Sequence, residues 1–387
     1  MKIAFLSSFF PHTTEISEGN AALYRILERN NETNLFNFSL LYPEILFPEL
    51  QEISNNKVAD NVQSQQLLNS VNPASYYSTA SAIKDFNPDL FLSRYWMPFL
   101  GLSLGSVAKF IRKSIIYKKR NTKFIGLIDN MQAPNPQLLE SKNNSLYVKN
   151  HDAFITFSSE ATADLLAINP SALFIEHPFP IYSYIATKTD KITARKTLGI
   201  PPNKKVMLYF DEIREYKGID LLIKTIANLP DEYHLILVGE AKTSFDYFQR
   251  MIDEHNVKDK ISSFVRKINE NEVHVFYSAT DVVIQPSKEQ PKRNVISSAL
   301  NYNIPIISND TANANKLIET NKLGIVIQDM SVENLSSEIN NYFEKNLQNT
   351  IAESIQKFKH FASWESVAAT IYYLYDVLIG KEKNIMY

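Results

Sequence analysis

The strongest constraint in this sequence is the stretch Val206 to Glu240, VMLYFDEIREYKGIDLLIKTIANLPDEYHLILVGE. Val206 to Phe210 is an unbroken apolar run, read as a buried strand. A polar loop carrying Arg214 and Lys217 follows, closed by Gly218. From Ile219 to Leu229, the positions Leu221, Leu222, Ile226 and Leu229 recur at helical spacing. His234 to Val238 is a second apolar strand, ending in Gly239–Glu240. Strand, loop, helix and strand in that order form the repeating unit of a parallel α/β sheet. Ligands in such sheets bind outside the carboxyl ends of the strands. At that edge Arg214 and Lys217 precede a helix start, whose N–H groups and dipole also favour anions. Phosphate is the expected ligand chemistry. The alternative is a solvated loop in which Glu212 and Glu215 balance the two cations.

A chain of 387 residues exceeds one ordinary core, so two domains are expected. Its net charge of −2 argues against a nucleic-acid partner held by bulk charge. With no cysteine, disulfides, thiolate catalysis and Cys-type metal sites are excluded together. No apolar run reaches the roughly 18 residues of a membrane span. MKIAFLSSFF reads as a first buried strand rather than a signal peptide. Histidines are scattered without a His-x-x-x-His pair, and neither a Walker loop nor a Ser-centred elbow is present. No metal site is expected.

The first half alternates strands and helices. Strands are expected at Lys2 to Ser8, Leu35 to Leu41, Asp89 to Ser93, Phe124 to Leu127, Ala153 to Phe157 and Leu173 to Glu176. Phe9 to Gly19 reads as a loop facing substrate, with His12, Glu15 and Glu18, and with Gly19 letting backbone approach a ligand. An ordinary connection with Asn20 as helix cap is the alternative. Residues 50 to 75 look like exposed helix or loop. Asp129–Asn130 closes a strand at the cleft edge. Ser158 or Ser159 caps a helix running to about Ile168. The basic segment 109–123 can lie on an anionic membrane surface; a solvated surface helix is the other reading. The two prolines of His177-Pro-Phe-Pro mark a domain boundary near 180 to 190.

The second half repeats the alternation. A short helix at 192–198 closes at Gly199. After the opening stretch come a helix Ser244 to Glu254, a strand Ile261 to Val265, a helix Glu270 to Ser278 and a strand Asp281 to Gln285. The loop Ser287 to Asn294, a helix Val295 to Leu300 and strands Pro305 to Ser308 and Gly324 to Ile327 follow. The last helices are expected at 332–345, 349–359 and 364–379.

On these residues the chain resembles the bacterial retaining glycosyltransferases of the GT-B fold, family four. The resemblance rests on HPFPIYS, the Ile213-Arg214…Tyr216-Lys217-Gly218 loop, the Gly239–Glu240 strand end and the Ala279 to Pro286 strand. Arg94 to Pro98 and Asp129–Asn130 look like the family's amino-terminal domain. The resemblance implies two Rossmann-like domains facing a central cleft: 1–183 on the acceptor side, 184–363 binding the nucleotide sugar, and a final helix, 364–387, returning to the first domain. It implies that Arg214 and Lys217 bind the donor diphosphate and stabilise its departure without a metal. Asp129, Arg214 and Lys217 are the implied catalytic residues. Gly239, Glu240, Glu289, Lys292, Arg293, Asn294, Gly19 and Asn20 are the implied donor-binding residues. The donor is a UDP- or GDP-sugar, with no further cofactor. The acceptor is a polysaccharide, a lipid-linked glycan or another glycoconjugate, handled in the cytoplasm or at the inner face of the membrane.

The sequence departs from the family pattern at several points. Ser298 stands near the place of a second glutamate, Lys292-Arg293-Asn294 replaces a glycine-bearing turn, and Gly19–Asn20 replaces a Gly-Gly pair. MQAPNPQ replaces the Pro-His-Glu that carries the usual catalytic histidine. Two other readings are therefore kept beside transfer: a glycosyltransferase-like binding or scaffold subunit, and a nucleotide-sugar epimerase or hydrolase.

Overall fold

The computed structural model describes residues 1–12, 14–47, 62–114, 121–132, 140–181, 189–242, 244–287, 293–310 and 317–382. The chain divides into two compact units, Met1–Pro180 with Ala362–Tyr387, and Ile181–Phe361.

The first unit is built on a parallel sheet ordered β3-β2-β1-β4-β5-β6-β7 among the described residues. Its strands are β1 (Lys2–Leu6), β2 (Glu32–Leu40), β3 (Gln65–Asn69), β4 (Leu90–Tyr95), β5 (Lys123–Ile128), β6 (Ala153–Thr156) and β7 (Leu173–Glu176). Ile3 to Leu6 and Leu90 to Leu92 are fully buried, as strands covered on both faces require. Burying each Ile, Leu or Phe side chain among them contributes about 1.5–3 kcal/mol. The strand order reverses between β1 and β4, so their carboxyl ends border a crevice. The final helix, Trp364–Leu378, packs in this unit, where Tyr372 Oη accepts from Asn31 Nδ2 at 2.8 Å.

Three expectations are corrected here. The first helix is Glu15–Leu27, capped by the Thr14 side chain, so Gly19 and Asn20 lie inside it and Asn20 caps nothing. Glu15 and Glu18 occupy its first turn, where the helix dipole favours carboxylates. Strand β3 and the helix Pro73–Phe86 occupy part of a stretch read as exposed helix or loop. The basic helix is Gly101–Lys113, ending before much of the expected segment, whose residues 115–120 lie outside the described part.

The second unit's sheet is ordered β10-β9-β8-β11-β12-β13, again parallel. Its strands are β8 (Lys205–Phe210), β9 (Tyr233–Gly239), β10 (Ile261–Val265), β11 (Val282–Gln285), β12 (Ile306–Asn309) and β13 (Gly324–Ile327). Here the order reverses between β8 and β11. At the amino-terminal edge of these two strands Asp281 is a buried hub. It accepts from Lys191 Nζ, from Arg195 Nη2 and from the Val206 amide, each at 2.7 Å. These bonds pin the helix Lys191–Thr197 to the sheet and leave the carboxyl-terminal edge to the site.

Candidate functional site

In the second unit the site begins where β8 ends. Asp211 is buried, and its amide donates to Val238 O at 3.2 Å. The chain then runs beside the end of β9: Ile213 N donates to Glu240 O at 3.0 Å, and Ile213 pairs with Ala241. Gly239 makes this approach possible, because a Cβ there would lie 1.8 Å from Asp211 O. Gly239, an expected donor contact, admits the main chain of the cation loop. Glu240, also expected at the ligand, accepts Lys242 Nζ at 2.9 Å and is exposed.

Arg214 precedes a single 3-10 turn, Glu215–Lys217, and Gly218 follows with φ 78°. That left-handed backbone suits glycine. Gly218 also abuts Pro286, the residue after β11, whose side chain would lie 3.1 Å from an added Cβ. The loop therefore sits in the crevice between β8 and β11. The helix Ile219–Asn228 starts there with no side-chain cap on its amide groups.

Each of the two expected cations has a carboxylate partner. Lys217 Nζ lies 3.2 Å from Asp211 Oδ2, with side chains only 6% and 4% exposed. Arg214 Nε donates to Glu212 Oε2 at 3.0 Å, with both side chains about one-third exposed. Glu212 is thus a partner as expected, whereas Glu215 is an exposed residue of the turn. No sequence signal singles out Asp211. Its Oδ1 accepts from the Glu212 amide at 2.8 Å while Oδ2 faces Lys217. Tyr209 donates to Glu212 O at 2.8 Å, and burial raises its phenol above the ordinary range. At the end of β11, Gln285 is buried, and among the described residues its Nε2 has no hydrogen-bond partner. Glu289 and Lys292 lie outside the described residues, as do the side chains of Arg293 and Asn294.

In the first unit the residues at the carboxyl edge converge on Arg94, at the end of β4 and wholly buried. Its Nε and Nη2 donate to Asp129 Oδ2 and Oδ1, both at 2.7 Å. Nη1 donates to Asn20 Oδ1 at 3.1 Å. The rings of Trp364, Phe157 and Phe179 stand 5.2, 5.7 and 6.0 Å from its Cζ. Asn20 Nδ2 donates to Ser7 Oγ and Ser8 O, both at 2.8 Å. An added Cβ at Gly19 would meet Trp364 at 2.5 Å and Arg94 at 3.0 Å. The expected ligand-facing pair Gly19–Asn20 is therefore enclosed by Arg94 and Trp364. Asp129, expected to be catalytic, offers both oxygens to one guanidinium.

The first unit's histidines are bound inward. His12 Nε2 donates to Phe38 O at 3.1 Å, and burial lowers its pKa. His177 Nδ1 donates to Pro178 O at 2.6 Å, and Nε2 accepts from Ser366 Oγ at 2.9 Å on the final helix. In the basic segment, Ile111 is buried and Arg112 donates to Asn150 O and Asp152 Oδ1 at 2.9 and 2.6 Å. Among the described residues, no group of His, Asp and Glu is arranged to hold a metal ion, and no helix is long and apolar enough to cross a membrane.

Two α/β units, with a cation loop in the crevice of the second, can be compared with known proteins. Residues 190–358 match the family model of glycosyl transferases group 1. The match covers most of the second unit. Over 242 residues the chain is 21% identical to a D-inositol 3-phosphate glycosyltransferase of Corynebacterium aurimucosum, across 59% of this chain and 57% of that protein. It is 20% identical over 196 residues to an uncharacterized glycosyltransferase of Methanocaldococcus jannaschii, across 49% of each. The chain spans about half the length of the curated relatives it matches.

Among solved structures, a glycosyltransferase from Rickettsia africae has a TM-score of 0.66 at 18% identity, covering 98% of this chain and 99% of that one. The Anabaena protein HepE, in complex with UDP, has a TM-score of 0.63 at 17% identity, covering 97% and 99%. The two parallel sheets and their helices thus have the GT-B glycosyltransferase fold. The residues that match the family model include the whole Arg214–Gly218 loop and the uncapped helix behind it.

Proposed function

We propose that this chain is a glycosyltransferase that moves a sugar from a nucleotide-sugar donor, a UDP- or GDP-sugar, to a glycan, lipid-linked or other glycoconjugate acceptor. The observation that carries the reading is the crevice between β8 and β11. It gathers Arg214, Lys217 and the uncapped amino terminus of the helix Ile219–Asn228 at one strand edge. Charge grows on a departing nucleoside diphosphate, so fixed cations and oriented N–H groups lower the barrier to its leaving. In this reading Arg214 and Lys217 perform that role, and transfer with retention needs no metal. A UDP complex of a protein with the same fold supports the choice of ligand, and the family match supports transfer over a scaffold role.

Asp129 enters as a positioning residue. Its bidentate pair with Arg94 holds the edge of the first unit, together with Asn20 and Trp364. Lys292, Arg293, Asn294 and Glu289 remain proposed donor contacts in the loop after β11. Lys109, Lys113 and Lys123 are what the described part of the basic segment offers to an anionic surface.

The test is calorimetric titration with UDP, GDP and ADP, followed by turnover of the matching sugar nucleotides with the product anomer read by NMR. Saturable nucleotide binding weakened by Arg214→Ala supports the reading. No binding at millimolar nucleotide defeats it, and an inverted anomer defeats retention alone.

A further inference from the structure

The cation loop carries its own anions. From Asp211 to Lys217 it reads DEIREYK, three carboxylates against two cations. The carboxylates are not equivalent. Glu215 is exposed, where water screens it, and Glu212 is one-third exposed. Asp211 is buried against Lys217 at 3.2 Å, where charges act on one another with little screening.

Asp211 is also held in place. Its amide bonds to Val238 O, its Oδ1 accepts the Glu212 amide, and its carbonyl oxygen fits against Gly239. Lys217, by contrast, reaches the pair at the end of a four-carbon chain with three rotatable donors. A ligand phosphate arriving at the helix start can therefore recruit the ammonium only by sharing or taking it from a fixed carboxylate.

We propose that Asp211 is an internal anion that competes with the donor diphosphate for Lys217. It weakens nucleotide binding, and it takes the ammonium back when the nucleoside diphosphate leaves. This rests on the reading of the loop as the donor site. It makes Asp211 a positioning residue that tunes affinity and product release, touching the substrate only through Lys217.

UDP is the probe, or GDP where the nucleotide panel favours it, titrated by calorimetry into wild type, Asp211→Asn, Glu215→Gln, Lys217→Met and Asp211→Asn/Lys217→Met. Asparagine keeps the acceptor for the Glu212 amide, and circular dichroism of each variant reports folding. The expected result is binding about tenfold tighter in Asp211→Asn, the order of effect of removing one poorly screened charge. Glu215→Gln should change it less than twofold, and the gain should vanish when Lys217 is Met. Equal gains in Asp211→Asn and Glu215→Gln would reduce the effect to bulk charge and overturn the proposal. So would weaker or unchanged binding in a folded Asp211→Asn. If wild type binds with dependence on Lys217 while Asp211→Asn changes nothing, the competition fails and the donor site stands. If no variant binds nucleotide, the donor-site reading fails and the competition with it.

Discussion

Lys217 and Asp211, six positions apart in the loop, form a buried ion pair, 3.2 Å from ammonium to carboxylate, at the carboxyl edge of β8. Removing one partner leaves the other charged and out of water, which costs about 3–5 kcal/mol. Lys217→Ala should therefore lower unfolding stability by that order in urea titration. Asp211→Asn/Lys217→Met should lose at most about 1 kcal/mol, since no lone buried charge remains. Equal losses in the two variants would show that the stranded charge does not set the cost. A drop in activity in Lys217→Ala alone thus mixes folding with binding, and Arg214→Ala is the cleaner probe of the ligand.

Gly239 has no room for a side chain. An alanine Cβ would lie 1.8 Å from Asp211 O, so the loop and the end of β9 must separate. Gly239→Ala should destabilise by about 1–3 kcal/mol or more, as overpacking does, and should weaken nucleotide binding beyond Gly199→Ala. Gly199 has open space around it, although its φ of 70° makes alanine strained there. Unchanged nucleotide binding in a folded Gly239→Ala would show that this approach does not shape the cation loop.

Arg94 joins three parts of the first unit: Asp129 after β5, Asn20 in the first helix and Trp364 at the start of the last. Arg94→Lys should be nearly as damaging as Arg94→Ala, about 3–5 kcal/mol, because an ammonium cannot make the bidentate pair. Hydrogen exchange should show faster exchange in Trp364–Leu378 in both variants. Protection there equal to wild type would mean the final helix docks without Arg94.

His151 gives a pH dependence. Its Nδ1 donates to Tyr147 O at 2.8 Å and its Nε2 accepts from Ser93 Oγ at 2.9 Å, all in the core. Burial pushes its pKa down to about 4. A folded-state pKa below the unfolded one means that its contribution is present above about pH 6.5 and is lost as pH falls through 4. Between pH 7 and pH 5 this histidine should cost about 2 kcal/mol of stability. The slope should shrink in His151→Gln. An unchanged slope in that variant would assign the acid sensitivity elsewhere, with His234, also pushed down to about 4 by burial, the next to test.

Much of the architecture is legible in the sequence because parallel strands covered on both faces are apolar runs. Val206 to Phe210, His234 to Val238 and Ala153 to Phe157 announce themselves in this way. Strand β3 does not: QQLLN lies at the edge of the sheet, and only Leu68 is buried. The start of the first helix is misread because Gly19 and Asn20 suggest a loop, while the deciding signal is Thr14 followed by Glu15 and Glu18. The cations of the candidate site are readable from their place after a strand. Their partners are not. Asp211 reaches Lys217 only because the loop bonds to the end of β9 and turns back through a single 3-10 turn. The Arg94–Asp129 pair likewise joins two strand ends that sequence spacing alone does not bring together.

If the crevice between β8 and β11 is the donor site, it binds a nucleoside diphosphate through the Arg214–Lys217 loop. Calorimetric titration of UDP and GDP into wild type and Arg214→Ala tests it most directly. Wild type should bind at least one nucleotide saturably and the variant about tenfold more weakly, in line with loss of a charge-assisted contact. Identical binding by the two proteins, or none by wild type at millimolar nucleotide, would contradict it.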